Sequence, residues 1–161
     1  MNMLKRILSV AAIAAGCLLP AIGLAETQQV GDYTWSYTIS DGGATIGVVD
    51  EWGNPQWQRA VEPAPGGAVE IPSELGGCPV TGIGDCAFVD CCEMTSVTFP
   101  ATVTSIGSYA FCGSGLTEVT IPAQASLGGS VFFNCQSLAE FKVEEGNAYL
   151  RSVNGCLLSK D

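Results

Sequence analysis

The chain has 161 residues, which favours a single domain, and with 47% hydrophobic and 14% charged residues it is too apolar for intrinsic disorder. Its 6 Lys and Arg residues stand against 16 Asp and Glu residues, and the net charge of -10 makes nucleic acid a poor partner. The absence of histidine excludes Ser-His and Cys-His nucleophile pairs, zinc sites that use histidine, and imidazole acid–base chemistry.

Residues 1–25 have the pattern of a secretory signal peptide. Lys5 and Arg6 precede a long apolar run, and the small residues Gly23 and Ala25 stand three and one positions before Glu26. The pattern predicts export and cleavage after Ala25. The mature protein is then secreted or held at the cell surface.

Two other interpretations of this segment are weaker. Gly16 and Pro20 interrupt the apolar run and polar residues follow it, so a retained membrane span is disfavoured. Residues 14–17 loosely resemble a bacterial lipobox, which would place a lipid on Cys17. Because Ala14 stands where leucine is usual, ordinary cleavage is preferred and lipidation remains the minor alternative.

Residues 26–67 predict a β-hairpin and then a loop. Residues 33–40 alternate aromatic or β-branched residues with polar ones, residues 41–43 supply a turn, and residues 44–49 form the return strand. This hairpin is expected to cap the open edge of the strands that begin after residue 67. The proline-rich loop at 50–67 carries Trp52 and Trp57, which either form a sugar or protein contact or, as we favour, fold back over the core.

Residues 68–143 contain an internal repeat. Residues 83–88, with the sequence Ile-Gly-Asp-Cys-Ala-Phe, recur at 106–111 and more loosely at 127–132. After each phenylalanine a polar turn leads to a short alternating stretch, in which Val97 and Phe99 point to one side and Ser96 and Thr98 to the other. A single unit cannot bury its apolar stripe, so we expect the units to stack. This arrangement places the repeat phenylalanines 88, 111 and 132 in one dry column.

The segment IGDCAFVDCCEMTSVTFPATVTSIGSYAFCGSGLTEVTIP resembles the BspA-like leucine-rich repeats of bacterial and some protist surface proteins. The resemblance extends from about residue 68 to residue 143, and its third copy departs from the pattern at Val131, Val143 and Glu144. It implies a leucine-rich-repeat solenoid of short parallel β-strands with irregular or short helical returns. It also implies exposure on cells or secretion, and use in adhesion or protein binding.

Residues 144–161 predict a second hairpin. Residues 149–153 and 156–159 flank Asn154 and Gly155, a strong signal for a type I′ turn. The hairpin is either a C-terminal cap or the start of a truncated repeat in a longer protein, and both interpretations stay open.

The cysteines are interpreted as packing residues. Cys91 and Cys135 share a repeat position two coils apart, which is beyond disulfide reach. Seven cysteines come after residue 25, so at least one is free or pairs between chains, and the connectivity of any bridge is undetermined. The cluster of Cys86, Cys91 and Cys92 with two aspartates has no common zinc spacing, so no metal or cofactor is predicted.

The remaining candidate site is the outward face of the repeat strands. It is polar, mildly acidic and expected to lack a pocket, which favours a protein ligand. The candidate binding residues are Ser96, Thr98, Glu118, Thr120, Glu140 and Lys142, together with Trp52 and Trp57. The sequence therefore predicts a non-catalytic secreted or cell-surface module that binds a protein on a host or neighbouring cell. The alternative is a structural spacer or end-cap within a longer cell-envelope repeat protein.

Overall fold

The described part of the chain is built from β-strands. The computed structural model describes residues 25–50 and 53–160, and these two ranges contain no helix. Outside the described residues lie Trp52 and the part of the predicted signal peptide before Ala25, which includes Cys17. The strands of the described ranges are β1 (Glu26–Val30), β2 (Tyr33–Ser40), β3 (Gly43–Ile46), β4 (Val61–Glu62), β5 (Gly67–Glu70), β6 (Glu74–Leu75), β7 (Cys78–Ile83), β8 (Met94–Thr98), β9 (Ser105–Ile106), β10 (Glu118–Ile121), β11 (Ser126–Leu127), β12 (Glu140–Val143), β13 (Leu150–Val153) and β14 (Cys156–Ser159).

The N-terminal segment forms the predicted hairpin and adds one strand to it. β2 and β3 pair antiparallel around Asp41 and Gly42, whose φ angles of 52° and 77° are those of a type I′ turn. The return strand is shorter than predicted, because β3 ends at Ile46 and Val49 forms a bridge with Pro55 instead. β1 has no counterpart among the predicted strands and pairs with β2 along its whole length.

The hairpin joins the repeats in the manner of a further coil. β3 runs parallel to β7 with Ile46 beside Ile83, and the backbone N–H of Gly84 donates to the carbonyl of Ile46 at 2.6 Å. Ile46 and Gly47 thus occupy the place of the Ile-Gly pair of the repeat. The edge of β7 is consequently paired rather than open to other chains.

Each full repeat contributes one longer strand and one very short strand. The longer strands pair in parallel as β5 with β8 and β10 with β12, and the short ladder runs from β7 through β9 to β11. The backbone N–H of Thr117 links the two longer pairs by donating to the carbonyl of Thr95 at 3.0 Å. The returns are irregular, as expected, apart from the two-residue strands β9 and β11, and none of the returns in the described ranges is helical.

The repeat glycine lies where successive coils approach each other. The N–H groups of Gly107 and Gly128 donate to the carbonyls of Ile83 and Ile106, each at 2.7 Å. A Cβ on Gly107 would lie 2.7 Å from the backbone nitrogen of Asp85, closer than Cβ atoms approach other groups. The Ile-Gly pair therefore combines a buried side chain with a backbone contact that excludes a Cβ.

The three repeat phenylalanines form the predicted column. Phe88 and Phe111 stack with ring centroids 4.9 Å apart and planes at 6°, and Phe111 and Phe132 stack at 5.7 Å and 13°. Phe88 and Phe111 are fully buried, whereas Phe132 at the end of the stack is half-buried. Trp35 meets Phe88 edge-on at 6.1 Å, so the N-terminal hairpin closes the other end of the column.

The C-terminal hairpin also forms as predicted. β13 and β14 pair antiparallel around Asn154 and Gly155, both of which have positive φ. The backbone N–H of Phe141 donates to the carbonyl of Gly155 at 2.9 Å, which holds this hairpin against β12.

A buried asparagine fixes the segment that leads into this hairpin. The side-chain amide of Asn147, which is 1% exposed, donates to the carbonyls of Pro122 and Ala125 at 2.9 and 3.0 Å. Its Oδ1 accepts from the backbone N–H groups of Tyr149 and Leu150, each at 2.9 Å. All four bonding positions of the amide are therefore satisfied, as burial of a polar group requires.

Candidate functional site

The outward residues of the longer strands form a polar surface that we name the outer strip. Its members are Ala68, Glu70, Ser96, Thr98, Glu118, Thr120, Glu140 and Lys142. Residues of equal position lie beside one another, as Ser96 does with Ala68 and Glu118 with Glu140. Ser96 is half-buried and the other seven are exposed, because alternation along a strand sends their neighbours into the core. The structure thus places all six predicted strand residues on the outward side.

Ion pairs connect the outer strip across neighbouring coils. The Lys142 ammonium donates to the carboxylate of Glu118 and lies 3.5 Å from the carboxylate of Glu140. The hydrogen bond to Glu118 and the charges of Glu118 and Glu140 raise the pKa of Lys142. With Glu70 included, the strip carries three carboxylates and one ammonium, so its net charge is negative.

A groove of about 890 Å³ opens at one end of the outer strip. Glu70 and Thr98 belong to both the strip and the groove wall, and Tyr33 and Trp35 of the N-terminal hairpin line it from the other side. The strip therefore borders an open groove at this end. The buried Nε1–H of Trp35 has no acceptor among the described residues.

Trp57 lies on the surface rather than over the core. Its side chain is 62% exposed and its ring rests against Tyr109, with centroids 5.4 Å apart and planes at 56°. The favoured expectation that both tryptophans fold back over the core is thus wrong for Trp57, while Trp52 lies outside the described residues. Three residues further on, the backbone N–H of Ala60 donates to the carbonyl of Ala87 at 2.7 Å, which attaches the loop to the first repeat.

Three exposed rings continue across neighbouring coils, and we name Trp57, Tyr109 and Phe133 the aromatic row. Tyr109 and Phe133 meet edge-on with centroids 6.2 Å apart, and their exposed fractions are 37% and 61%. Tyr109 stands two residues before the repeat phenylalanine with a φ of 56°, and Phe133 directly follows the repeat phenylalanine of the next coil. Sequence reasoning missed both rings, although the doubled Phe132-Phe133 was a usable signal.

The thiols of the described residues are free and mostly shielded. All seven cysteines after residue 25 are unbridged, and burial raises the pKa of Cys91 to about 12. Burial also raises the pKa values of Cys86 and Cys112, which pack together with Val89 in a small separate cluster. These thiols stay protonated at neutral pH, so they are poor nucleophiles and poor metal ligands.

The same part of the chain offers neither a metal-binding cluster nor a membrane-crossing helix. Across residues 25–50 and 53–160, no three His, Cys, Asp or Glu side chains are grouped closely enough to hold a metal ion. None of the elements in those ranges is a helix long and apolar enough to cross a membrane.

Comparison with known proteins gives one family match and several distant structures. The model of the family described as BspA type leucine rich repeat region, with six copies, matches residues 69–156. A leucine-rich cell surface protein from Faecalibacterium prausnitzii is 15% identical over 84% of this chain and 59% of its own, with a TM-score of 0.38. The pneumococcal vaccine antigen PcpA is 19% identical over 86% of this chain and 55% of its own, with a TM-score of 0.42.

A leucine-rich repeat protein from Eubacterium ventriosum is 17% identical over 86% of this chain and 49% of its own, with a TM-score of 0.31. The chain therefore spans between 49% and 59% of the length of these structures. No curated protein sequence matches it.

Proposed function

Because the chain belongs to the BspA-type leucine-rich repeat family, we propose that it is a non-catalytic binding module that acts outside the cell or at its surface. Residues 68–143 form a leucine-rich-repeat solenoid, residues 26–67 and 144–161 close its two ends, and residues 1–25 direct export before cleavage after Ala25. The parallel ladders and the phenylalanine stack support this arrangement. The absence of histidine from the chain and the protonated thiols support the lack of catalysis.

The binding surface in this proposal is the outer strip. The observation that carries it is the register of the longer strands, which holds polar side chains exposed at fixed spacing across neighbouring coils. A surface whose backbone is already fixed loses little conformational entropy when a partner binds. Because carboxylates outnumber ammonium groups on the strip, the partner is a protein with a basic or hydrogen-bonding epitope on a host or neighbouring cell.

The test reverses the charge of the strip without disturbing the core. Residues 26–161 are labelled, and saturable binding to intact host or bacterial cells is measured by flow cytometry. The double change Glu118→Lys and Glu140→Lys should weaken this binding at least about tenfold, the equivalent of 1.4 kcal/mol. Both side chains are exposed, and exposed ion pairs contribute little to stability, so the variant should fold.

Glu145→Lys is the matched control, because this exposed carboxylate lies in the turn after β12 and outside the strip. Equal binding by the double variant and the control would show that the strip is not the binding surface. If the unchanged protein binds no cell surface saturably, the alternative of a structural spacer or end-cap is the better account.

A further inference from the structure

The aromatic row is a second exposed surface, and its position in the fold separates it from the outer strip. Trp57 comes from the loop before β4, while Tyr109 and Phe133 come from the turns of two successive coils. These turns follow the short strands, whereas the outer strip lies on the longer strands. The aromatic row therefore does not depend on the ion pairs of the outer strip.

The rings of the row contact one another but leave much of their surface to solvent. Trp57 and Phe133 are 62% and 61% exposed, although both flank Tyr109. Exposed large aromatic side chains that adjoin one another are typical of binding surfaces, where Trp and Tyr supply much of the binding energy. Isolated exposed rings would need no such explanation.

Carboxylates flank the row on the neighbouring coil. Asp85 accepts a hydrogen bond from the backbone N–H of Ser108 at 2.7 Å, directly beside Tyr109. Asp90 Oδ1 lies beside Gly113, whose N–H donates to the carbonyl of Phe133 at 2.9 Å. The surroundings of the rings are therefore negative, which agrees with the excess of acidic residues in the whole chain.

The cation nearest to Trp57 in the sequence is paired with a carboxylate. Arg59, two residues after Trp57, is bound to Glu62, with Nε 3.0 Å from Oε1. The three exposed rings and the exposed carboxylate of Asp90 are open to a cation from outside. A guanidinium suits both, because it stacks on aromatic faces and also binds carboxylates through its planar fork of donors.

We propose that the aromatic row binds an arginine-bearing segment of a protein partner. The inference rests on the proposed binding function and names a surface and partner chemistry for it. A sugar chain fits less well, since the planes of neighbouring rings meet at 56° and 79° and offer no common flat platform. The guanidinium groups stack on the solvent-exposed faces of Trp57 and Phe133, and the nearby carboxylates attract them to the row.

The test uses a fluorescent peptide of alternating arginine and glycine as the probe. Its affinity for residues 26–161 is measured by fluorescence anisotropy at physiological salt, beside a peptide in which citrulline replaces arginine. We expect saturable binding that falls about tenfold or more with citrulline and with Trp57→Ala or Phe133→Ala. Tyr149→Ala is the matched control, because this ring is 57% exposed but lies outside the row, and it should leave the affinity unchanged.

Several results would overturn the inference. One is equal affinity for the citrulline peptide, and another is equal affinity of the Trp57→Ala variant, which would indicate diffuse attraction to an acidic protein. Direct binding of a linear oligosaccharide that is lost in Trp57→Ala, with no binding of the arginine peptide, would assign the row to sugars. If the strip variant Glu118→Lys with Glu140→Lys abolishes cell binding while Trp57→Ala does not, this inference fails and the proposed function stands.

Discussion

Replacing Asn147 tests whether one buried amide holds the C-terminal hairpin to the repeats. Asn147→Ala removes two donated and two accepted hydrogen bonds, each with a net contribution of about 1 kcal/mol. After the substitution, the carbonyl of Pro122 still accepts a hydrogen bond from the N–H of Ala125, at 3.1 Å, and water can reach the N–H of the exposed Tyr149. These two compensations reduce the expected loss of unfolding free energy to about 2–3 kcal/mol.

Asn147→Asp sharpens the test, because it keeps both accepted bonds. A carboxylate there cannot donate, and it faces the carbonyls of Pro122 and Ala125, so at neutral pH it should destabilise more than alanine does. Burial raises the pKa of such a carboxyl, and the deficit should therefore shrink as the pH falls and the group is protonated. Urea denaturation followed by tryptophan fluorescence gives the free energies, and Gln124→Ala, an exposed amide change, is the control.

The reasoning is refuted if Asn147→Ala costs no more than Gln124→Ala. It is also refuted if Asn147→Asp is more stable than Asn147→Ala at neutral pH. Hydrogen exchange then locates the effect: the amides of β13 and β14 should lose protection first, because Asn147 binds the residues that enter this hairpin.

Three further predictions concern the core and the contacts between coils. Phe111→Ala should cost about 3–5 kcal/mol in urea denaturation, and Phe132→Ala less than half of that because its ring is half-buried, so equal costs would contradict the column. Gly107→Ala should lower stability by more than about 2 kcal/mol, whereas Gly66→Ala, whose Cβ would lie 3.4 Å from its nearest neighbour, should change the melting temperature little. Because burial raises the pKa of Cys91 from 9.0 to about 12, the free energy of unfolding should fall as pH rises between these values, and by less in Cys91→Ala. Identical alkaline slopes for the two proteins would refute the last prediction.

The sequence was sufficient to predict the stack, because a repeat places the same residue type at the same position in each coil. Phe88 and Phe111 could be expected to meet for that reason, and both hairpins carried turn residues that favour positive φ. The short strands β9 and β11 could not be predicted, since two residues are too few for alternation to be visible. β1 was not predicted for another reason. Its residues are polar, so the sequence shows no apolar alternation there, and the strand forms by pairing with the edge of β2.

Prediction of the candidate sites succeeded where it depended on alternation alone. The outward direction of Glu118 and Lys142 follows from strand geometry, but their ion pair depends on the register between coils. The contact between Tyr109 and Phe133 in the aromatic row also depends on the turn backbone, because the two residues hold different repeat positions and Tyr109 has a positive φ. The doubled phenylalanine at 132–133 pointed to one exposed ring, but the positive φ of Tyr109 carries no sequence signal, so the contact between the two rings could not be predicted.

The two candidate surfaces are formed by the positions of the repeat whose residue type differs from one coil to the next. Inward positions keep their residue types from coil to coil, because each side chain packs on its counterparts, as the phenylalanine stack demonstrates. Outward positions have no such constraint, and the outward position before the central strand residue holds Ala68, Ser96, Glu118 and Glu140 in turn. Stability therefore depends on what successive coils share, and recognition on what distinguishes them. Exchanging only outward residues between two coils should leave the unfolding free energy nearly unchanged while altering which partner binds, a separation that calorimetry and the two binding assays measure directly.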